Sequence, residues 1–271
     1  MYDSLAGRRG LVLGGSRGIG RAIALRLARE GVHVLLTYAR SQESAEATAE
    51  ECRALGVEAE ALRADAGAPE ELTALLDRAR ERGGLDILVN NAARGLERPR
   101  PAIEQLPGHL HRSMDVNLFG PWRATQLAIP LLEEGDGGAI VNLLSPGAHH
   151  YMAGYSAVGV SKAALESLTL YLAVELAPRG VRVNGVSAGW VEGSDGERTV
   201  RAAVSDRVRP YVPAGRNVAP EDVAAAVAWA CSDEASMLVG HTLHLDGGFG
   251  HAAWRAVLDP IAPDESPSDE V

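Results

Sequence analysis

The sequence predicts one α/β domain in which a parallel sheet carries helices on both faces. Seven short apolar or β-branched runs alternate with longer segments whose apolar residues recur at helical spacing. Strands separated in this way run parallel, because a strand that continues in the same direction needs a long crossover, usually a helix. Runs such as LVLG, DILVN and AIVNLL are apolar throughout, which is typical of strands covered on both faces. The predicted fold class is therefore a doubly wound α/β sheet.

The gaps between the predicted strands are each long enough for one helical connection. They are Gly10–Gly14, Val32–Thr37, Val57–Arg63, Asp86–Asn90, Ala139–Leu144, Val181–Val186 and Thr242–Asp246. Helical patterns cover residues 18–30, 41–55 and 158–177, among others. We expect residues 1–250 to form one domain. Residues 251–271 end in APDESPSDEV, an acidic, proline-containing segment that we expect to be a disordered tail.

Composition and charge narrow the class of protein. The net charge of −10 and the scattered positive residues argue against a nucleic-acid-binding protein. No run reaches the roughly 18 consecutive apolar residues of a membrane helix, and MYDSLAGRRG lacks the apolar core of a secretory signal. We therefore expect a cytoplasmic protein that does not bind membranes. Cys52 and Cys231 lack metal-site spacing, so we expect buried thiols and no metal site.

Positive charge is unevenly divided between its two residue types. Lys162 is the only lysine among 26 basic residues. A guanidinium is planar and forked, whereas an ammonium is compact and has three donors. A single lysine in an arginine-rich chain therefore marks a position where the ammonium is needed.

A glycine-rich turn follows the first predicted strand and opens a helix. In LVLGGSRGIGRAIALRLAREG the glycines allow a tight turn and a close approach of the backbone to a pyrophosphate, which the amides of the helix N-terminus then face. This is the phosphate-binding arrangement of Rossmann-type folds, in the order strand, turn and helix. The predicted cofactor contacts in this turn are Gly14, Ser16, Arg17, Gly18, Ile19 and Gly20.

The end of the second strand indicates which dinucleotide binds. An acidic residue there would bind the ribose hydroxyls of NAD, but the sequence VLLTYARSQ has none. Arg40 and Ser41 stand at this point, and Arg17 lies in the glycine turn. Two guanidinium groups and a hydroxyl suit a 2′-phosphate, so we predict NADPH as the cofactor.

Four motifs together resemble the short-chain dehydrogenase/reductase superfamily. They are GGSRGIG, LVNNAA at 88–93, DVNLFG containing Asn117, and DGG at 246–248, and the resemblance covers about residues 5–250. It implies that Asp65, Ala66 and Asn91 contact the cofactor and that the backbone of Val191 contacts the nicotinamide carboxamide. It also implies a catalytic set of Tyr155, Lys162, Ser145 and Asn117.

The spacing of tyrosine and lysine departs from the superfamily's usual Tyr-x-x-x-Lys. Val158 stands four residues before Lys162, and Tyr155 gives Tyr-x6-Lys instead. This spacing and its surroundings resemble the type III enoyl-acyl-carrier-protein reductases. Residues seven apart on a helix share one face, and the shift of nearly one turn moves the tyrosine about 4.5 Å along the axis. We therefore expect reduction of an enoyl thioester, in which the hydride acceptor lies two bonds further from the oxygen than in a ketone.

The resemblance also implies roles for the catalytic set. Tyr155 hydrogen-bonds the developing enolate oxygen, Lys162 holds the nicotinamide ribose and supports the tyrosine, and Ser145 assists at the carbonyl. Asn117 is expected to order a water or the lysine. Tyr151 is a second candidate donor, and the loop residues His149 and His150 are possible substrate contacts.

The segment after the sixth strand is expected to be a substrate lid over residues 189–216. Ala188 replaces the superfamily's usual proline. The positively charged residues Arg198, Arg201, Arg207 and Arg209 would suit a carrier protein or coenzyme A, although a solvated helix face explains them equally well. The resemblance suggests a homotetramer, with the apolar helix 158–177 as one possible interface.

Two other functions fit the same sequence. The first is a carbonyl or ketoacyl reductase of the same superfamily in a specialised biosynthetic pathway. The second belongs to another class, a non-catalytic NADPH-binding regulator or scaffold. Turnover of crotonyl or acetoacetyl thioesters distinguishes all three.

Overall fold

The seven predicted strands form one parallel sheet. A computed structural model describes residues 2–94, 99–135, 137–193 and 205–252. The sheet order is β3-β2-β1-β4-β5-β6-β7, and every neighbouring pair is parallel. The strands are β1 (Arg9–Leu13), β2 (His33–Tyr38), β3 (Ala59–Arg63), β4 (Ile87–Asn90), β5 (Gly138–Leu144), β6 (Val181–Ala188) and β7 (Thr242–Leu245). The prediction of a doubly wound, single-domain α/β fold is confirmed.

Helices cover both faces of this sheet. They are α1 (Gly18–Arg29), α2 (Gln42–Ala54), α3 (Pro69–Glu81), α4 (Pro107–Met114), α5 (Gly120–Leu132), α6 (Ser156–Leu176) and α7 (Pro220–Cys231). One apolar core joins the sheet to α1, α2 and α7, and a second joins it to α3, α5 and α6. Cys52 and Cys231 are fully buried in the first core as free thiols, as predicted.

The strand order places a crevice at the carboxyl edge of the sheet. The chain moves outward from β1 through β2 to β3 and then returns to the other side of β1 at β4. Loops that leave β1 and β4 therefore diverge onto opposite faces, and doubly wound sheets bind ligands at such a switch point. The glycine turn follows β1, and Asn91 follows β4, so both lie at this crevice.

The predicted boundaries differ from the structure by one or two residues. The third strand begins at Ala59 rather than Val57, because residues 56–58 turn before the chain enters the sheet. Helix α6 begins at Ser156, two residues earlier than predicted, and Tyr155 is the residue that precedes it. Arg198, Arg201 and the predicted tail from residue 253 onward lie outside the described residues.

Candidate active site

The glycine turn after β1 is shaped by close backbone approaches. Gly14 and Gly18 have φ angles of 76° and 53°, which side chains with a Cβ rarely adopt. The amide of Gly14 donates to Thr37 Oγ1 at 2.9 Å, which ties the turn to β2. No side chain within the described residues caps α1, so its first amides face the crevice and suit an anion.

Gly20 lies where α1 meets the turn, and its missing side chain is essential to that contact. A Cβ on Gly20 would overlap the carbonyl oxygen of Gly14 and lie 2.5 Å from Asn91 Nδ2. The same Asn91 amide donates to Gly14 O at 2.8 Å and Leu13 O at 3.2 Å. Asn91 therefore holds the turn in place, in addition to the cofactor contact that the resemblance implies.

The residues predicted to select the dinucleotide surround the same turn. Arg17 is the N-cap of α1 and is exposed, Arg40 is exposed beyond the end of β2, and Ser41 is the N-cap of α2. Asp65 is exposed after β3, and its carboxylate accepts a hydrogen bond from the Gly67 amide at 2.9 Å. The neighbouring Ala66 is buried.

Ser145 and Tyr155 meet at the end of β5. The Tyr155 hydroxyl lies 3.1 Å from Ser145 Oγ. Tyr155 is the N-cap of α6 and lies outside the helix. It therefore does not share a helix face with Lys162, although the seven-residue spacing predicts that it does. The displaced tyrosine nevertheless brings its hydroxyl to the serine, and both hydroxyls can donate to one ligand oxygen.

Gly147 makes room for the Tyr155 ring. A Cβ on Gly147 would lie 2.5 Å from Tyr155 Cδ1 and 2.6 Å from Cε1. Gly159 of α6 lies against the Gly147 carbonyl in turn, since its own Cβ would meet that oxygen at 2.6 Å. Gly147 is not among the residues predicted from sequence, although a glycine two residues after Ser145 is a signal for a close contact there.

We expect Gly147→Ala to lower kcat by about 10- to 100-fold, because an added methyl group must push the ring away from Ser145 and small misplacements of reacting groups are costly. The φ angle of Gly147 is not positive, so alanine fits its backbone. A double-mutant cycle with Tyr155→Phe checks this: the effect of Gly147→Ala should vanish in the Phe background. An equal loss in both backgrounds would mean that Gly147 does not act through the tyrosine.

Lys162 is buried in α6 and reaches the carboxyl end of β5. Only 4% of it is exposed, and its Nζ donates to the backbone oxygen of Leu143 at 2.6 Å. Burial lowers the pKa of the Lys162 ammonium to about 8. A buried ammonium with one backbone acceptor has two further N–H donors to offer a ligand.

The lowered pKa of Lys162 predicts a rise in stability with pH. Between pH 8 and 10.5 the unfolded chain keeps the lysine proton while the folded protein releases it, so stability increases through this window. Relative to Lys162→Met, the free energy of unfolding of the cofactor-free protein should gain up to about 3 kcal/mol. Urea titrations of both proteins at several pH values test this. A constant difference would show that the pKa of Lys162 is not lowered.

Asn117 lies in a π-helical turn, Asp115–Phe119, between α4 and α5. Its Oδ1 accepts from the Arg94 amide at 2.8 Å, and its Nδ2 donates to Arg94 O at 3.2 Å and Ser161 Oγ at 2.9 Å. Asn117 therefore joins the loop after β4 to α6 at the residue next to Lys162. Its described partners are Arg94 and Ser161, and its expected role of ordering a water or the lysine stays a prediction.

The loop between Ser145 and Tyr155 is anchored through a histidine. His149 pairs with Glu166 of α6, and its ring lies edge-on to His244 of β7, with centroids 6.2 Å apart. His149 thus has structural partners. Tyr151 is almost fully exposed, and no described bond joins its hydroxyl to Ser145.

The start of the predicted lid is connected to the segment that returns to α7. Val191 forms a bridge to Val218, with the Val218 amide donating to Trp190 O at 3.0 Å. Asn217 is buried, and its Nδ2 donates to Ser205 Oγ at 2.7 Å and Glu192 Oε1 at 3.2 Å. Asn217 and Glu192, which hold this region together, are not among the residues predicted from sequence.

The parallel sheet, the glycine turn at its switch point and the approach of Tyr155 to Ser145 are typical of an oxidoreductase that uses a nicotinamide dinucleotide. A family model described as "Enoyl-(Acyl carrier protein) reductase" matches residues 14–250. The chain belongs to the short-chain dehydrogenase/reductase superfamily.

Proteins that are similar to this chain include a reductase and two dehydrogenases. The chain is 37% identical to a 3-oxoacyl-[acyl-carrier-protein] reductase FabG from Staphylococcus aureus, over 88% of this chain and 96% of the relative. It is 38% identical to a 3beta-hydroxysteroid dehydrogenase 1 from Eggerthella lenta, over 92% and 95%. A solved 7 alpha-hydroxysteroid dehydrogenase, complexed with NADH and 7-oxo glycochenodeoxycholic acid, superposes with a TM-score of 0.84 at 30% identity, over 91% and 96%.

Proposed function

We propose that this protein is an NADPH-dependent carbonyl reductase that converts a ketone, or the 3-oxo group of an acyl chain, into a secondary alcohol. The observation that carries the proposal is the 3.1 Å approach of Tyr155 OH to Ser145 Oγ. A substrate carbonyl oxygen can accept hydrogen bonds from both hydroxyls. The carbonyl carbon bonded to that oxygen is then the electrophile that receives the hydride. The activities named for the 3-oxoacyl reductase and the hydroxysteroid dehydrogenases support the same reaction.

Tyr155 acts as the proton donor in this proposal. Its O–H proton passes to the carbonyl oxygen, while Ser145 donates a hydrogen bond to that oxygen and stabilises the developing negative charge. Lys162 lies at the same end of β5, where its charge favours the ionised form of the tyrosine after transfer. Asn117 positions the start of α6 through Ser161.

The residues of the glycine turn fit a dinucleotide phosphate. The close approach of Gly14 and Gly20 and the N-terminus of α1 suit the pyrophosphate. The end of β2 has no acidic residue in VLLTYARSQ, which suits a 2′-phosphate with Arg17 and Arg40 as its partners. NADPH supplies the hydride when bound. Gly18, Ile19, Ser16, Ser41, Asp65, Ala66, Asn91, Lys162 and the Val191 backbone are the further contacts we propose.

Enoyl-thioester reduction is the second candidate. The Tyr-x6-Lys spacing and the description of the matching family model favour it. The position of Tyr155 weakens this candidate. Enoyl reduction needs a tyrosine on the helix that reaches past the carbon accepting the hydride, but Tyr155 precedes α6 and its hydroxyl lies beside Ser145. The activities of the relatives named above support the carbonyl reaction better.

Paired substrates test the proposal. Acetoacetyl and crotonyl thioesters and a simple ketone are incubated with NADPH or NADH, and cofactor oxidation is followed by absorbance. We expect turnover of the carbonyl substrates, with NADPH preferred by at least about tenfold, or about 1.4 kcal/mol. Turnover of crotonyl thioester alone would contradict the proposal. NADPH binding without turnover of any of these substrates would favour the non-catalytic regulator.

We propose a homotetramer, and one flank of the protein supports self-association. Helix α6 with its following turn, Ser156–Arg179, is long and apolar enough to span a membrane, yet half of its most apolar window is buried in the fold. Its outer face exposes Val160, Tyr171 and Val174, and Phe119 and Trp122 are exposed at the start of α5. Exposed apolar patches of this kind mark interfaces between proteins.

Charge on this flank should break the assembly. We expect Tyr171→Glu and Val174→Glu to lower the mass measured by light scattering from that of a tetramer to that of a smaller species, because a buried carboxylate is costly. Met237→Glu, at an exposed apolar residue just before β7, is the matched control. A wild-type protein that is monomeric at micromolar concentration would overturn the proposal.

A further inference from the structure

Four aromatic residues lie in segments at the carboxyl edge of the sheet, and we call them the aromatic collar: Tyr151, Trp190, Tyr211 and Phe249. Tyr151 is 91% exposed, Tyr211 45% and Phe249 44%, and Trp190 is partly exposed. Each lies in a segment that follows β5, β6 or β7 at its carboxyl end. Because parallel strands end at one edge, these segments lie on the same side of the sheet as Ser145.

The segments of the aromatic collar contact one another. A Cβ on Gly250 would lie 3.6 Å from His150 Nε2, which places the turn containing Phe249 beside the loop containing Tyr151. The Ala214 amide donates to Gly247 O at 3.0 Å, which joins the Tyr211 segment to that turn. The bridge from Val218 to Val191 holds the Trp190 segment to the end of the Tyr211 segment. The four segments therefore form a continuous chain of contacts at this edge.

Aromatic residues are rare in this protein, at 4% of the sequence, so their placement is informative. The other exposed large aromatics of the described residues, Phe119, Trp122 and Tyr171, lie on the flank of α5 and α6. Exposed aromatic rings in groups indicate a binding surface, and their flat faces pack well against other rings. The aromatic collar thus lies at the edge of the sheet that also carries the candidate catalytic hydroxyls.

Among the described residues, most of the positive charge near the aromatic collar is already paired. Two of the three described arginines between residues 205 and 217 are paired with carboxylates. Arg209 lies 3.4 Å from Glu192 and 3.3 Å from Asp206, and Arg216 donates to both oxygens of Asp222. A coenzyme A or carrier phosphate would have to compete with these carboxylates on a protein with a net charge of −10.

We infer that the substrate is a flat, largely apolar cyclic ketone whose rings stack on the aromatic collar while its carbonyl oxygen reaches Ser145 and Tyr155. The inference rests on the proposed carbonyl reduction and names its substrate class. A rigid ring system loses little conformational freedom on binding, so more of the free energy of stacking on aromatic rings remains as affinity. A flexible acyl thioester gains less from the same faces.

Two ketones of equal carbon number test the inference. 2-Tetralone is flat and bicyclic, and 4-phenyl-2-butanone is its flexible, ring-opened counterpart. We expect kcat/KM for 2-tetralone to fall about 3- to 10-fold in Tyr151→Ala and in Phe249→Ala, which is the range for loss of one aromatic pair. Butanone, too small to reach the rings, should be reduced equally by the wild-type protein and by Phe249→Ala. Met237→Ala, an exposed apolar residue at the opposite edge of the sheet, should leave every value unchanged.

Calorimetric binding of 2-tetralone to the protein with NADP⁺, a pair that cannot exchange a hydride, separates this inference from the proposed function. Binding that weakens in Tyr151→Ala and Phe249→Ala supports the aromatic collar even if no ketone is reduced. The inference would be overturned if Tyr151→Ala and Phe249→Ala lowered kcat/KM equally for 2-tetralone and for 4-phenyl-2-butanone. Reduction of butanone and acetoacetyl thioester in the same experiment would leave the proposed carbonyl reduction in place. A clear preference for the acetoacetyl thioester over 2-tetralone would also overturn it.

Discussion

Tyr155→Phe is expected to lower kcat by about 10²- to 10⁴-fold, because it removes the proton donor while leaving the ring against Gly147. The dissociation constant of NADPH should change little, since the hydroxyl faces Ser145 rather than the glycine turn. The free energy of unfolding should fall by about 1 kcal/mol at most, the net value of one hydrogen bond. Steady-state kinetics, NADPH titration by fluorescence and urea unfolding measure the three quantities.

Tyr171→Phe is the matched control for this prediction, because Tyr171 lies on the outer face of α6. It should retain wild-type kcat. A large loss in Tyr151→Phe together with a small loss in Tyr155→Phe would transfer the donor role to Tyr151, the second candidate in the same loop. Such a result would contradict our assignment of the catalytic hydroxyl.

Gly20→Ala should weaken NADPH binding by at least about 100-fold and lower the free energy of unfolding by about 1 to 3 kcal/mol. The added methyl group would overlap the Gly14 carbonyl and crowd Asn91 Nδ2, so the glycine turn must move away from α1. The phosphate-binding amides would then no longer converge. Titration of the variant with NADPH, together with its urea unfolding curve, tests both parts.

Gly108→Ala in α4 is the comparison for Gly20→Ala. Only the flexible end of Arg112 lies near its added Cβ, at 3.3 Å, so alanine should be neutral or slightly stabilising through its helix propensity. If Gly20→Ala binds NADPH as tightly as Gly108→Ala does, the close approach of Gly14 and Gly20 does not control cofactor binding.

The fold could be predicted from sequence because its signals are local and repeated. Alternating apolar runs and helical patterns identified all seven strands, and the glycine turn between β1 and α1 fixed the phosphate site. The burial of Cys52 and Cys231 followed from the absence of any metal or disulfide pattern around them. These inferences need only the period of the chain and the chemistry of short motifs.

The sequence predicted which residues belong to the candidate site but not how they are arranged. Spacing along a helix suggested that Tyr155 shares a face with Lys162, but the helix begins one residue after the tyrosine. The approach of Tyr155 to Ser145 depends on the path of the loop and on the space at Gly147, neither of which has a periodic signal. The bonds of Asn117 to Arg94 and Ser161 join residues distant in sequence, which one sequence does not reveal.

An enone carries a carbonyl group and an activated alkene in one molecule, so its reduction shows which of the two groups accepts the hydride. 3-Penten-2-one would be incubated with the protein and NADPH that carries deuterium at the transferred position, and the product would be analysed by NMR. Our account predicts an allylic alcohol with deuterium on the carbinol carbon, since Tyr155 and Ser145 hold the carbonyl oxygen and its carbon receives the hydride. A saturated ketone with deuterium on the former alkene carbon would contradict it and establish the enoyl reaction instead.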